Sequence, residues 1–137
     1  MAICSRCQFR EERPCSYTPQ TREYFRVLIR ALRHVAERYG YAIAVHGSLK
    51  TDIDLIAVPW RDSAVSQASV AEAIRKTAEQ IIGSARQRDS DPMTKKPCGR
   101  LAWSFYLTPH DDIPGPYIDL SVMPVPLATP ETPREDG

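Results

Sequence analysis

The spacing of apolar and polar residues divides the chain into six elements. Apolar residues recur every three or four positions over 21–39 and again over 67–82, which predicts two amphipathic helices. Gly40 is a natural end for the first helix, and Thr18 or Thr21 is its candidate N-cap. The remaining apolar segments are shorter and lack this period.

These shorter segments have the composition and alternation of strands. They are 41–46 (YAIAVH), 52–58 (DIDLIAV), 99–109 (GRLAWSFYLTP) and 117–125 (YIDLSVMPV). Only a short turn rich in Asp, Gly and Pro separates the last two, which predicts a hairpin. The predicted order is α-β-β-α-β-β, an α/β (α+β) fold with helices packed on a mixed β-sheet.

The predicted folded region is one domain, residues 19–125, because 137 residues suffice for a single core. Residues 1–18 form an irregular, cysteine-containing segment. The segment 126–137 is rich in proline and charge, which predicts a disordered tail.

The charge and hydropathy of the chain limit its possible binding partners and its cellular compartment. The formal net charge is +1, so no global bias favours nucleic acid or membrane surfaces. No apolar run approaches the roughly 20 residues that span a bilayer. The N-terminal residues lack the apolar core of a signal peptide, which predicts a cytoplasmic protein without membrane contact.

Four cysteines raise the question of zinc, because cytoplasmic cysteines are usually thiols rather than disulfides. Cys4, Cys7 and Cys15 have the spacing C-x2-C-x7-C, and a C-x2-C pair is half of a zinc site. The fourth Zn²⁺ ligand would be one of Cys98, His110 or His34. The alternative is that the three N-terminal cysteines are free thiols.

Three aspartates lie inside apolar strand segments, where an unpaired carboxylate is expensive to bury. Asp52 and Asp54 are two positions apart, so they point to one face of their strand. Asp119 has a similar setting in YIDLSV. If the two strands are adjacent, the three carboxylates converge and can hold one or two Mg²⁺ (or Mn²⁺) ions.

The segments VHGSLKTDIDLIAV and YIDLSV resemble the nucleotidyltransferase superfamily, which includes DNA polymerase beta, minimal bacterial nucleotidyltransferases and antibiotic nucleotidyltransferases. The shared pattern is Gly-Ser, then Asp-apolar-Asp on a strand, then an acid on a later strand. The resemblance covers residues 25–123. With KPCGRLAWSFYL included, the chain also resembles small nucleotidyltransferase-like proteins of phage and bacterial genomes, in which histidine replaces Cys98.

The resemblance implies transfer of a nucleoside monophosphate from a nucleoside triphosphate to an acceptor, with magnesium. Gly47 and Ser48 would contact the triphosphate, while Asp52 and Asp54 would ligate the metal. Asp119 would complete the site and help to deprotonate the acceptor. That acceptor is a protein hydroxyl, a small molecule or a nucleic-acid end. The short chain favours a homo-oligomer or a partner protein that supplies acceptor recognition.

One departure from the family pattern concerns the phosphate contact. Only three residues separate Gly-Ser from Asp52, where most of the superfamily has about ten that include a helical turn. Candidate replacements for that turn are Lys50, Lys95, Lys96 and Arg100. Both Lys95 and Lys96 have the simpler interpretation of a solvated loop, and His46 that of an ordinary strand-end histidine.

Two further functions stay open at this stage. The same fold could bind nucleotide or metal without catalysis, which the shortened Gly-Ser loop favours. Alternatively, the protein could be a zinc-stabilised interaction domain in which the cysteine-rich N-terminus is the functional part.

Overall fold

The computed structural model describes residues 19–110 and 115–126, with side chains from Glu23 onward. It contains two α-helices and a five-stranded mixed sheet, which confirms the predicted α/β class. In chain order the elements are α1 (Pro19–Arg38), β1 (Tyr41–His46), β2 (Ile53–Pro59), α2 (Gln67–Ile82), β3 (Thr94–Lys95), a 3-10 turn (Pro97–Gly99), β4 (Leu101–Tyr106) and β5 (Tyr117–Val122).

Several element boundaries differ from the sequence-based prediction: β2 is 53–59 instead of 52–58, and β4 is 101–106 instead of 99–109. Helix α1 begins at Pro19, so Thr21 lies inside the helix and is not its N-cap, while Thr18 lies outside the described residues. Proline suits the first turn, where its missing N–H would have no partner anyway. Strand β5 ends at Val122, because a proline follows two residues later. The segment 84–99, which follows α2, contains β3 and the 3-10 turn, and both are too short for periodicity to reveal.

The sheet has the strand order β1-β2-β5-β4-β3. Strands β1 and β2 form an antiparallel hairpin, and so do β4 and β5, which confirms the predicted C-terminal hairpin. Strands β2 and β5 are parallel neighbours. A parallel pair requires a long crossover, and here the crossover contains α2.

Both helices pack on one face of the sheet, which we call the helix face. Their apolar stripes meet the odd-numbered residues of β2 and β4 and the even-numbered residues of β5 in a single buried core. The largest fully buried side chains there are Tyr41, Phe25, Phe105, Leu28, Leu32, Ile53, Leu55, Ile74, Ile118 and Leu120. Neither described helix is long and apolar enough to cross a membrane.

The ends of α2 explain its length. The Ser66 side chain accepts a hydrogen bond from the Ser69 N–H, which caps the first turn. Gly83 adopts φ +96° and donates its N–H to the Glu79 carbonyl, which closes the last turn. The helix has the bounds that the apolar period over 67–82 predicted, but Ile81 within it is 41% exposed.

Candidate active site

A row of side chains crosses the sheet on the face opposite the helices, which we call the acidic face. The register pairs His46 with Asp54, Asp54 with Asp119, and Asp119 with Ser104. Paired residues on neighbouring strands point to the same side of a sheet. The predicted adjacency of the two acid-bearing strands is therefore confirmed, and Asp54 and Asp119 are direct neighbours.

Asp52 lies just before β2, beside the start of β5. Its carboxylate accepts hydrogen bonds from the backbone N–H of Tyr117 and from the Thr51 hydroxyl, the latter at 3.2 Å. Because Tyr117 is two residues before Asp119 on β5, this contact holds Asp52 on the acidic face near the other two carboxylates.

The three carboxylates act on one another electrostatically. Partial burial raises the pKa of Asp52 above its ordinary value, and the charges of Asp54 and Asp119 raise it further. Burial also raises the pKa of Asp119, and the charge of Asp54 adds to this shift. A cation between them would relieve both the repulsion and the cost of burial.

Gly47 lies against the Asp54 side chain at the end of β1. It has φ +79°, and a Cβ built on it would collide with Asp54 Oδ2. Glycine therefore satisfies two requirements here, the left-handed backbone and the close approach of a carboxylate. The 47–52 loop has no helical turn, as its length predicted, and Ser48 and Lys50 are exposed within it.

The donor set of this face fits a hard divalent cation, since carboxylate oxygens are the ligands that Mg²⁺ and Mn²⁺ prefer. The side chains are nevertheless apart. Within 19–110 and 115–126, no three His, Cys, Asp or Glu side chains come together as a metal-binding group.

Basic groups surround the carboxylates on two sides. Electrostatic interactions with His46 and Lys96 both lower the pKa of Asp119, in opposition to its burial. Arg100 donates from Nη1 to Ser121 Oγ at 3.1 Å, and Ser121 follows Asp119 by two positions, so both are on the acidic face. Of the predicted phosphate ligands, Lys96 and Arg100 therefore lie near the site.

Lys95 is placed differently. It pairs with Leu101, whose side chain packs against the core on the helix face, so the register directs Lys95 away from the carboxylates. It is exposed at the edge of the sheet, which matches the solvated-loop interpretation.

Gln67, the first residue of α2, fixes the segment that carries Lys96 and Arg100. Its Nε2 donates to the Gly99 carbonyl at 2.9 Å and to the Val122 carbonyl at 2.8 Å. The side chain thus joins α2, the 3-10 turn and the end of β5. Sequence reasoning did not find this role, because nothing in the local pattern distinguishes Gln67 from a surface glutamine.

Two tyrosines and an arginine continue the acidic face beyond the carboxylates. Tyr117 pairs with Tyr106 across β5 and β4, and their ring centroids are 5.3 Å apart. The Arg88 guanidinium lies 3.7 Å from the centre of the Tyr106 ring, and the Tyr106 hydroxyl donates to Asp91 Oδ2 at 2.7 Å. We call these four residues the tyrosine cluster. The alternation of residues along β4 and β5 is enough to predict that both tyrosines are on this face, but not that they are neighbours.

The charges of the site also act on Tyr117. Burial raises the pKa of its phenol, and the neighbouring carboxylates of Asp52, Asp119 and Asp54 raise it further. The hydroxyl therefore stays protonated at neutral pH, close to the acidic groups.

The zinc prediction concerns mainly residues that the structure does not describe, since Cys4, Cys7 and Cys15 precede residue 19. Its three alternative fourth ligands are within the described range. Cys98 is a free, exposed thiol, and His34 and His110 are exposed. None of them belongs to a metal-binding group among the described residues.

Sequence comparison adds no relatives to this description. The chain matches no protein-family model and no curated protein. The geometry of the acidic face and the motif resemblance are therefore the basis of the functional assignment.

Proposed function

We propose that the chain is a magnesium-dependent nucleotidyltransferase of the DNA polymerase beta-like superfamily, acting on a nucleoside triphosphate and an acceptor hydroxyl. The observation that carries this proposal is the parallel register of β2 and β5, which makes Asp54 and Asp119 neighbours on the acidic face. Gly47 lies against the Asp54 carboxylate, and by the motif resemblance its backbone would contact the triphosphate.

The chain's own residues have distinct parts in this reaction. Asp52, Asp54 and Asp119 would hold the metal, while Gly47, Ser48 and Lys50 would contact the terminal phosphates, with Lys96 and Arg100 opposite them. When bound, Mg²⁺ or Mn²⁺ would neutralise phosphate charge and lower the pKa of the attacking hydroxyl.

The transfer needs no reactant other than the nucleoside triphosphate and the acceptor. The acceptor oxygen forms a bond to the α-phosphorus, and the bond from that phosphorus to the oxygen bridging it to the β-phosphorus breaks. Pyrophosphate leaves with that electron pair. Asp119, beside the reacting centre, is the candidate acceptor of the hydroxyl proton. Positioning and charge neutralisation supply most of the rate in such reactions.

A catalytically inactive nucleotide- or metal-binding module is the second candidate. One observation favours it: the 47–52 loop lacks a helical turn. This candidate keeps the same ligands and loses only the chemical step.

A labelling experiment separates the two candidates. Purified protein is incubated with each α-labelled nucleoside triphosphate, Mg²⁺ or Mn²⁺, and a cell extract as the acceptor source. We expect a labelled acceptor with the wild-type protein and none with the double variant Asp52→Asn, Asp54→Asn.

The matched control is the double variant Glu37→Gln, Asp62→Asn, which removes two exposed carboxylates, one on α1 and one in the loop after β2, and should label as well as wild type. Metal-dependent nucleotide binding without label transfer would support the inactive module instead. Neither binding nor transfer would overturn both candidates.

A further inference from the structure

The tyrosine cluster of Tyr117, Tyr106, Arg88 and Asp91 has more side-chain contacts than the pairing of two strands needs. Tyr106 is fixed on three sides, by the Tyr117 ring, by the Arg88 guanidinium and by the hydrogen bond to Asp91. All three aromatic or planar groups are half-buried, so each keeps part of its surface in contact with solvent.

The position of this cluster follows from the strand order. On the acidic face, one row of side chains runs from Asp54 on β2 through Asp119 on β5 to Ser104 on β4. The next row runs from Asp52 through Tyr117 to Tyr106, at the end of the sheet where the Gly47 loop lies. Neighbouring strands are about 4.8 Å apart. A triphosphate whose terminal phosphates contact Gly47 and whose α-phosphate lies at Asp54 and Asp119 therefore directs its nucleoside toward β5 and β4.

We propose that Tyr117, supported by Tyr106 and Arg88, binds the base of the donor nucleotide by stacking. This inference rests on the proposed function and names the nucleoside subsite of the same site. Every base has a π-face, and an aromatic ring next to a guanidinium offers a flat surface of matching shape and polarisability. Because stacking uses the π-face that all bases share, this contact discriminates little between bases.

The test compares ATP with inorganic triphosphate, which lacks the nucleoside. The affinities of ATP and of inorganic triphosphate, both with Mg²⁺, are measured by calorimetry for wild type, Tyr117→Leu and Tyr117→Phe. We expect Tyr117→Leu to weaken ATP binding roughly 5- to 100-fold. Inorganic triphosphate should bind wild type and this variant equally, and this result also shows that the variant is folded.

Two variants act as controls. Tyr117→Phe keeps the ring and should bind ATP within about threefold of wild type, since the stacking surface is unchanged. Tyr24→Leu removes an exposed tyrosine of α1, on the opposite side of the sheet, and should change neither affinity.

Several outcomes would overturn the inference. Equal weakening of ATP and triphosphate would make Tyr117 a structural residue. An unchanged ATP affinity combined with slower transfer would assign the cluster to the acceptor. Wild-type protein that binds triphosphate as tightly as ATP would refute the base subsite alone, whereas binding of neither ligand would refute the proposed function as well.

Discussion

The two faces of β5 are built from alternate residues of one six-residue strand, yet they have opposite chemistry. Ile118, Leu120 and Val122 are completely buried beneath the helices. Tyr117 and Asp119 point the other way, into a half-buried region of carboxylates, basic groups and aromatic rings. Even-numbered residues of this one strand therefore stabilise the core, and odd-numbered residues carry the chemical groups of the site. Substitutions at neighbouring positions should therefore have different kinds of effect.

The largest expected effect is on the helix face. Leu120→Ala removes a fully buried side chain and should lower the free energy of unfolding by about 2–5 kcal/mol, as lost burial plus a cavity. Its neighbour Asp119→Asn should leave that free energy unchanged or higher, because it removes a partly buried charge. Urea denaturation of both variants in metal-free buffer measures the contrast.

The same two variants should reverse their order in a binding assay. Magnesium-dependent ATP binding should fall steeply in Asp119→Asn and should persist in Leu120→Ala at temperatures where that variant is folded. A large loss of stability in Asp119→Asn would contradict the expectation that the helix face stabilises the fold and the acidic face binds the ligand.

The second largest effect concerns Gly47. Gly47→Ala forces a Cβ into left-handed backbone, at a cost of about 1–2 kcal/mol, and also displaces the Asp54 carboxylate. Gly83→Ala is the matched control, because its φ is +96° and no atom lies near the new Cβ. Both should lose similar stability in thermal unfolding, but only Gly47→Ala should weaken magnesium-dependent nucleotide binding. Similar binding losses in both would show that backbone strain alone is responsible.

The smallest effect is a pH dependence of the acidic face. Burial and, after it, the charge of Asp54 raise the pKa of Asp119, so the folded chain holds this proton more tightly than the unfolded chain. The stability that this proton contributes is present at low pH. It is lost as the pH rises from the ordinary aspartate pKa of about 3.9 through the folded value.

Asp119→Asn should remove this part of the pH dependence. The Tm of the variant minus that of wild type should therefore grow as the pH rises above about 4 in EDTA. Saturating magnesium should shrink the difference, because the cation stabilises the wild-type carboxylates. The exposed Asp62→Asn serves as the reference variant. A difference that stays constant with pH would contradict a raised pKa at Asp119.

Much of the fold was predictable because its signals are local. The helical period of α1, the glycine that ends α2 and the alternation of Asp54 with its apolar neighbours each depend on a few consecutive residues. The shared face of Asp52 and Asp54 followed in the same way. The C-terminal hairpin followed from a short connection, which leaves few alternatives.

The contacts between segments far apart in sequence were harder to predict from the sequence. The neighbourhood of Asp54 and Asp119 was expected from the motif resemblance, since periodicity gives the face of a residue but not its partner strand. The Gln67 bonds, the Tyr117 amide on Asp52 and the orientation of Lys95 depend on register between segments far apart in sequence. The two-residue strand β3 exists only because β4 is beside it.

The parallel pairing of β2 and β5 has a consequence for the order of folding. Asp54 and Asp119 become neighbours only when the last described strand inserts between β2 and β4. Closing so long a segment costs entropy before any contact compensates for it, so this pairing forms slowly compared with the hairpins. During synthesis, a chain that has emerged only as far as α2 has its Gly47 loop and two of the three carboxylates, but no assembled site.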